Sequence, residues 1–271
     1  MTMHVTGSPA QLGNTDAGIA RPNSHVMLEI CVDDIEGART ALAAGADRLE
    51  LCAALGVGGL TPTPGLLESA ANLGVPAIAL IRPRDGGFVY TAAEVDTMQR
   101  DIAAARTAGL HGVAIGVLTQ SQELDGEVLK TLIETAGDME CVLHRAFDLT
   151  PDPFAALEQA VGLGFQRILT SGQARTAVGG SALLKQLVDA AGERIAILPG
   201  GGVSPANARN IIESTGAREL HASCSAQTAP PLPDDPLRRF EFLPAAGRRF
   251  TEPSRIRDLR AALDLQGDFS P

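Results

Sequence analysis

This sequence has no basic face, no long apolar run and no cysteine framework, and each absence narrows the function. Its 22 lysines and arginines are outnumbered by 32 aspartates and glutamates, for a net charge of −10. Sequence-independent binding to nucleic acid or to an anionic lipid surface therefore has no electrostatic support. No uninterrupted apolar stretch approaches the roughly 20 residues that span a bilayer. Four cysteines in 271 residues do not make a disulfide framework, which points to a reducing cytoplasm. Residues 1–24 are polar and glycine-containing, without the apolar core of a signal peptide or the Arg-rich pattern of a transit peptide, and are expected to form a flexible tail. The whole is 45% hydrophobic and 20% charged, which suits one large globular domain, expected over residues 25–271.

Glycine sets the rhythm of that domain. Gly45, Gly74, Gly109, Gly137, Gly164, Gly192 and Gly216 each close a helical segment, most of them amphipathic and alanine-rich, and precede a β-type run, as expected for the residue that most easily turns left-handed at a helix end. With MLEICV at Met27 to Val32 as the first, these runs make a chain of alternating strands and helices that predicts a single (β/α)8 TIM-type barrel. The alternative, an open doubly wound sheet, would require a reversal of strand order. Residues 226–253 are expected to be a long loop after the last strand, and 254–263 a final helix. Alternation assigns faces: the fourth and sixth residues after each glycine, such as Leu49/Leu51, Ile78/Leu80 and Ala196/Leu198, should face the helices. The fifth and seventh, such as Glu50/Cys52, Ala79/Ile81 and Ile197/Pro199, should face the barrel axis.

A barrel of this type carries its pocket at the C-terminal ends of the strands, and there the inward set turns polar. Glu29, Glu50, His144 and His221 are expected to point inward. They form either an internal ion-pair network with Arg82 and Arg145, or an acid/base or metal-holding group. Arg82 and Arg84 in IRPRDGGF, and Arg145 in HRAFD, fall at the mouth, where guanidinium groups clamp an anion or close rim salt bridges to Glu29, Glu50 or Asp148. The candidate catalytic set is therefore Glu29, Glu50, Arg82, His144, Arg145, Asp148 and His221. LTSG and LPGGGVSPAN supply Ser171, Gly172, Gly200, Gly201 and Gly202, which with Ser223 form a candidate anion cradle, Ser204 serving as helix N-cap and Pro205 as the first helical residue. The other reading is a tight turn that needs glycine. LEIC at Leu28 to Cys31 and LELC at Leu49 to Cys52 repeat a carboxylate and a thiol. If their strands pair in register, Cys31 and Cys52 stand with Cα atoms roughly 5 Å apart, a spacing that suits Cu(I); otherwise they are buried packing. Cys141 should face the helices, and Cys224 is a loop thiol.

The segments EICVDD, GADRLELCAALGVGGLTPTPG, IRPRDGGFVYTAAEV, HRAFD, RILTSG, PGGGV with Asn207, and ELHAS together resemble the CutC family of copper-homeostasis proteins over residues 26–223. From Ala226 onward the resemblance is loose. It implies a cytoplasmic TIM-like barrel that forms homo-oligomers, and a role in copper tolerance or Cu(I) binding through Cys31 and Cys52. Copper binding would leave the inward carboxylates, arginines and histidines without a purpose. A second hypothesis therefore stands beside it: an enzyme that moves protons on a small phosphorylated or carboxylated metabolite.

Overall fold

The computed structural model describes residues 25–230, 232–243 and 246–264; the N-terminal segment read as a tail lies outside them. Eight strands, β1 (Met27–Val32), β2 (Arg48–Leu51), β3 (Ala77–Leu80), β4 (Gly112–Ile115), β5 (Glu140–Leu143), β6 (Arg167–Thr170), β7 (Ala196–Pro199) and β8 (Glu219–Ala222), alternate with seven helices. These are α1 (Ile35–Ala43), α2 (Pro64–Ala71), α3 (Ala92–Ala108), α4 (Gly126–Ala136), α5 (Pro153–Leu163), α6 (Ser181–Ala191) and α7 (Ala208–Thr215). The parallel ladder runs from β7 through β6, β5, β4, β3, β2 and β1 to β8. No strand is out of sequence order, which excludes the doubly wound alternative, and β7 packs beside β8 to complete a (β/α)8 barrel. Local chemistry explains the helix boundaries. Thr91 and Glu94 form a capping box on α3, Asp152 accepts from the first amides of α5 beside Pro153, and Gly109, Gly164 and Gly216 end their helices left-handed.

Beyond β8 the segment read as a loop holds a two-stranded antiparallel ladder, β9 (Ser225–Gln227) with β10 (Arg249–Thr251), and a short helix α8 (Pro236–Arg239). The final helix, α9, runs Pro253–Asp264 and buries Ile256 and Leu259.

The main apolar layer lies between sheet and helices, where Leu28, Ile30, Leu49 and Leu51 are fully buried; each such side chain contributes about 2 kcal/mol. A smaller cluster fills the barrel: Cys31, Cys52, Ile78, Leu80, Ala114, Val142, Leu169 and Leu198. The expected faces hold for most strands and are reversed in β3 and β7, where Ile78, Leu80 and Leu198 point inward while Ala79, Ile81 and Ile197 pack in the outer layer. β3 keeps the usual two residues between Gly74 and the strand, and that count does not explain its reversal. In β7 the cause is local: three residues instead of two separate Gly192 from its strand, compared with Gly137. A shift of one residue turns a strand over.

Candidate functional site

A cavity of about 460 Å3 opens at the C-terminal end of the barrel, lined by Cys31, Glu50, Arg82, His144, Arg145, Asp148 and His221 among others. Of the seven candidate catalytic residues only Glu29 is not in its wall, and it stands behind His221. Strand β1 carries Glu29 opposite Arg48 and His221. The carboxylate is 2% exposed; one oxygen takes Arg48 Nε at 2.5 Å and the other His221 Nδ1 at 2.7 Å. Burial pushes its pKa up, but the His221 and Arg48 partners outweigh that and bring it down to about 2. As an ionised carboxylate accepts only, His221 Nδ1 is the donor and Nε2 is left facing Glu50 Oε2 at 3.8 Å. Burial alone would lower the His221 pKa; charge on Cys31 and Glu50 and the bond to Glu29 instead hold it well above the ordinary histidine value. Burial raises the Glu50 carboxyl, opposed only in part by His221.

Cys31 and Cys52 are not register partners across the β1/β2 ladder, contrary to the expectation from the repeated LEIC/LELC. Cys31 pairs with Glu50, and the Cys52 amide donates to Val32 O, because strands tilted to close a barrel are offset along their length and the two repeats sit out of step. Ligand atoms of Cys31, Glu50 and His221 all lie within 4.8 Å of one another. Cys52 Sγ instead donates to Glu50 Oε2 at 3.5 Å. Burial, then the Glu50 charge, raises that thiol well above the usual cysteine range. The three-residue group fits a transition metal: a thiolate, a carboxylate and an imidazole whose other nitrogen is already oriented by a second carboxylate. Cys141 and Cys224 are buried in the outer layer.

Arg82 and His144 occupy another part of the wall. Arg82 Nη1 donates to Val57 O and Gly59 O, both at 2.9 Å, and Nη2 to Gly86 O at 2.8 Å. His144 Nδ1 accepts from the Ala146 amide at 3.1 Å. Burial, assisted by the Arg82 charge, lowers the His144 pKa to about 3, so the ring is neutral. Neither makes the ion pair with Glu29 or Glu50 that the network reading required. A Cβ on Gly116 would lie 2.4 Å from the His144 ring, which is why that inward position is glycine.

Arg145 and Asp148 pair with each other, at 2.8 Å, in the 3-10 turn Arg145–Leu149 that follows β5. Asp148 also takes Thr170 Oγ1 and the amides of Ser171 and Gln173, which ties that turn to β6. Ser171 and Gly172 are thereby occupied: Ser171 Oγ accepts from Arg145 Nη2, and the Gly172 amide donates to Thr170. Gly201, Gly202, Val203 and Ser223 line the cavity. Gly200 sits behind them with its amide on Thr170 O, and a Cβ there would meet Leu169 at 2.6 Å and His221 at 3.3 Å. Among the described residues no acceptor takes the amides of Gly201, Gly202 or Val203. Ser204 does not cap α7; the cap is Asn207, and Pro205 belongs to the preceding turn. The helix start is thus farther from the cradle than the Ser-Pro pair suggested, because the Asn207 side chain folds back onto the Ser204 amide and Gly202 O.

Several contributors went unread in the sequence. Arg48 bridges Glu29 to Glu219, which binds Arg167, which binds Glu140. Arg48, Glu140, Arg167 and Glu219 are the first residues of their strands, each the third after a glycine that set the strand positions, on the inward parity. The signal was present one step earlier along the same count. Phe88, from the loop after β3, and Arg249, the first residue of β10, also line the cavity, and no periodicity places either.

Fold and site together define a single TIM-type barrel whose pocket sets arginines, acids and histidines into a partly apolar wall and includes a three-residue metal-type group. The CutC family model matches residues 26–226. A CutC protein of Sinorhizobium medicae is 48% identical over 241 residues, covering 89% of this chain and 97% of that one. Another, from Agrobacterium fabrum, is 47% identical over 240 residues, 88% of this chain and 94% of its own. The crystal structure of a Streptococcus agalactiae CutC, named for copper homeostasis, superposes with a TM-score of 0.71 at 32% identity, over 73% of this chain and 98% of that one. The chain belongs to the CutC family. Among the described residues no helix is long and apolar enough to cross a membrane.

Proposed function

We propose that this protein handles copper in the cytoplasm by holding one ion on Cys31, His221 and Glu50. The observation that carries the reading is the convergence of these three ligand atoms within 4.8 Å in the lining of an open cavity. A soft thiolate and an imidazole suit Cu(I), while Glu50 neutralises charge and Glu29 orients the ring. Cys52, whose thiol is held protonated by burial and by Glu50, is a neighbour of the ligand set rather than the second sulfur of a pair. The test is an anaerobic competition against a Cu(I) chelator with the parent, Cys31→Ser, His221→Gln, Cys52→Ser and, as control, Cys141→Ser. Binding of one equivalent should be lost in the first two variants and kept in the last two. A parent that cannot compete removes copper from the account; equal losses in Cys31→Ser and Cys52→Ser would restore the paired-thiol site.

A second reading is favoured by the unaccepted amides of Gly201, Gly202 and Val203 beside Arg145, whose guanidinium is 3.5 Å from where a Cβ on Gly201 would stand. Converging amides and a guanidinium recognise an anion, so the cavity takes a small phosphorylated or carboxylated molecule. His221 and Glu50 then supply the proton-transfer pair of an enzyme. Self-association is supported by Leu237, Phe240 and Phe242, 51%, 59% and 79% exposed in the segment between β9 and β10, an apolar patch that a second copy would cover. Light scattering on a Phe240→Ser/Phe242→Ser variant should show the smaller species.

A further inference from the structure

Three buried side-chain polar atoms have no hydrogen-bond partner among the described residues, Arg82 Nε, His144 Nε2 and the Tyr90 hydroxyl, and the first two belong to residues of the cavity wall. Arg82 and His144 are only 7% and 4% exposed. Their other polar atoms are committed, Arg82 to the carbonyls of Val57, Gly59 and Gly86, and His144 Nδ1 to the Ala146 amide. That last bond fixes the tautomer, because a neutral ring that accepts at Nδ1 carries its proton on Nε2. No carboxylate lies within ion-pair distance of Arg82 among the described residues. A buried donor without a partner is costly, and natural structures hold few of them. Here two share one cover: the Phe88 ring lies 4.9 Å from the His144 ring and 5.3 Å from Arg82 Cζ.

We propose that Arg82 Nε and His144 Nε2 form a subsite for an acceptor-only oxygen, a carboxylate or carbonyl, of the small molecule that occupies the cavity. Both groups donate and neither accepts, so the subsite rejects an ammonium or a hydroxyl that must give its proton away. A carboxylate is favoured because Arg82 brings a full positive charge that no protein anion balances locally. The Phe88 carbonyl is pinned by the Leu118 amide at 2.9 Å, so the ring, not the backbone, swings to admit the oxygen. The inference rests on the second reading above in one respect only: if the glycine loop holds an anionic end, the ligand is a short molecule with an acidic tail there and a carboxylate or carbonyl oxygen here.

Three probes separate the two claims: inorganic phosphate for the glycine loop, malonate for the donor pair, and 2-phosphoglycolate for both. Each is titrated into histidine-15N-labelled parent, following the His144 Nε2–H resonance, and into His144→Asn and His144→Gln by calorimetry. The Asn oxygen keeps the contact to the Ala146 amide but removes the Nε2 donor; the Gln amide restores a donor at that reach. Malonate and 2-phosphoglycolate should move the parent resonance, and phosphate should not. Affinity for 2-phosphoglycolate should fall about tenfold in His144→Asn and recover in His144→Gln, with phosphate affinity equal throughout. If phosphate fails to bind while malonate still moves the resonance, the glycine-loop reading falls and the subsite stands. If neither carboxylate moves the resonance, or if His144→Asn weakens phosphate as much as 2-phosphoglycolate, the subsite is wrong. Should His144→Asn not fold, the titration of the parent decides alone.

Discussion

Replacing Arg48 by Met tests whether the ion-pair network is structural. Arg48 is 2% exposed and bonds Glu29 and Glu219, so its removal leaves Glu29 buried with only His221 as a partner. Breaking a buried pair from one side costs about 3 to 5 kcal/mol. The Glu29 carboxyl supports the same scale: a fall from the ordinary 4.5 to about 2 corresponds to about 3 kcal/mol, shared between His221 and Arg48. The sign follows from the direction of the shift. A depressed carboxylate contributes stability above its unfolded pKa and loses it as pH falls from about 4.5 through about 2. In Arg48→Met the Glu29 pKa rises, so the penalty is largest at neutral pH and shrinks in acid, where Glu29 takes up a proton. Thermal denaturation by circular dichroism should show the variant melting roughly 10 °C below the parent at pH 7, with a smaller gap at pH 4. Adding Glu29→Gln to Arg48→Met should recover part of the loss at pH 7. A single variant within about 1 kcal/mol of the parent at pH 7, or a gap independent of pH, would refute the reasoning.

Three further outcomes are expected. Gly116→Ala should destabilise by about 1 to 3 kcal/mol and shift the His144 resonances, since its Cβ would stand 2.4 Å from a ring with no room to retreat; calorimetric melting measures it. His144, held at about 3, should show no imidazolium signal by NMR down to pH 5. Its neutral form stabilises the fold above the ordinary value near 6.5, and that contribution is lost as pH falls toward 3, so His144→Asn should lose stability less steeply over that window. Gly201→Asp, which brings a carboxylate to within reach of Arg145, should abolish phosphate binding by calorimetry while the protein stays folded.

How much of this was legible depended on the range of the interaction. Strand and helix order followed from local chemistry, glycine at helix ends and alternation within runs, so the barrel could be read directly. Facing followed as well, except in β7, where Gly192 stands one position farther from its strand than the other glycines do, and in β3, where the glycine stands at the usual distance and the count does not predict the reversal. Register was out of reach: the offset that sets Cys31 against Glu50 instead of Cys52 is a property of barrel closure, and no four-letter repeat encodes it. The partners of Arg82 were equally hidden, because they are backbone carbonyls of two loops, and any residue type supplies a carbonyl.

Read from residue types alone, the inward carboxylates allow either a structural network or a chemical group. The geometry of Glu29 makes the two inseparable. Its Oε2 belongs to Arg48, and through Arg48 and Glu219 to Arg167 and Glu140 on the far strands; its Oε1 belongs to His221 and so to Cys31 and Glu50. One rigid carboxylate thus ties the interior ion pairs to the orientation of the imidazole that faces the cavity. A substitution at Arg48, which does not line the cavity, should therefore change the His221 titration as well as the melting temperature. A variant such as Cys31→Ser, at the cavity, should change the ligand set and leave the network intact.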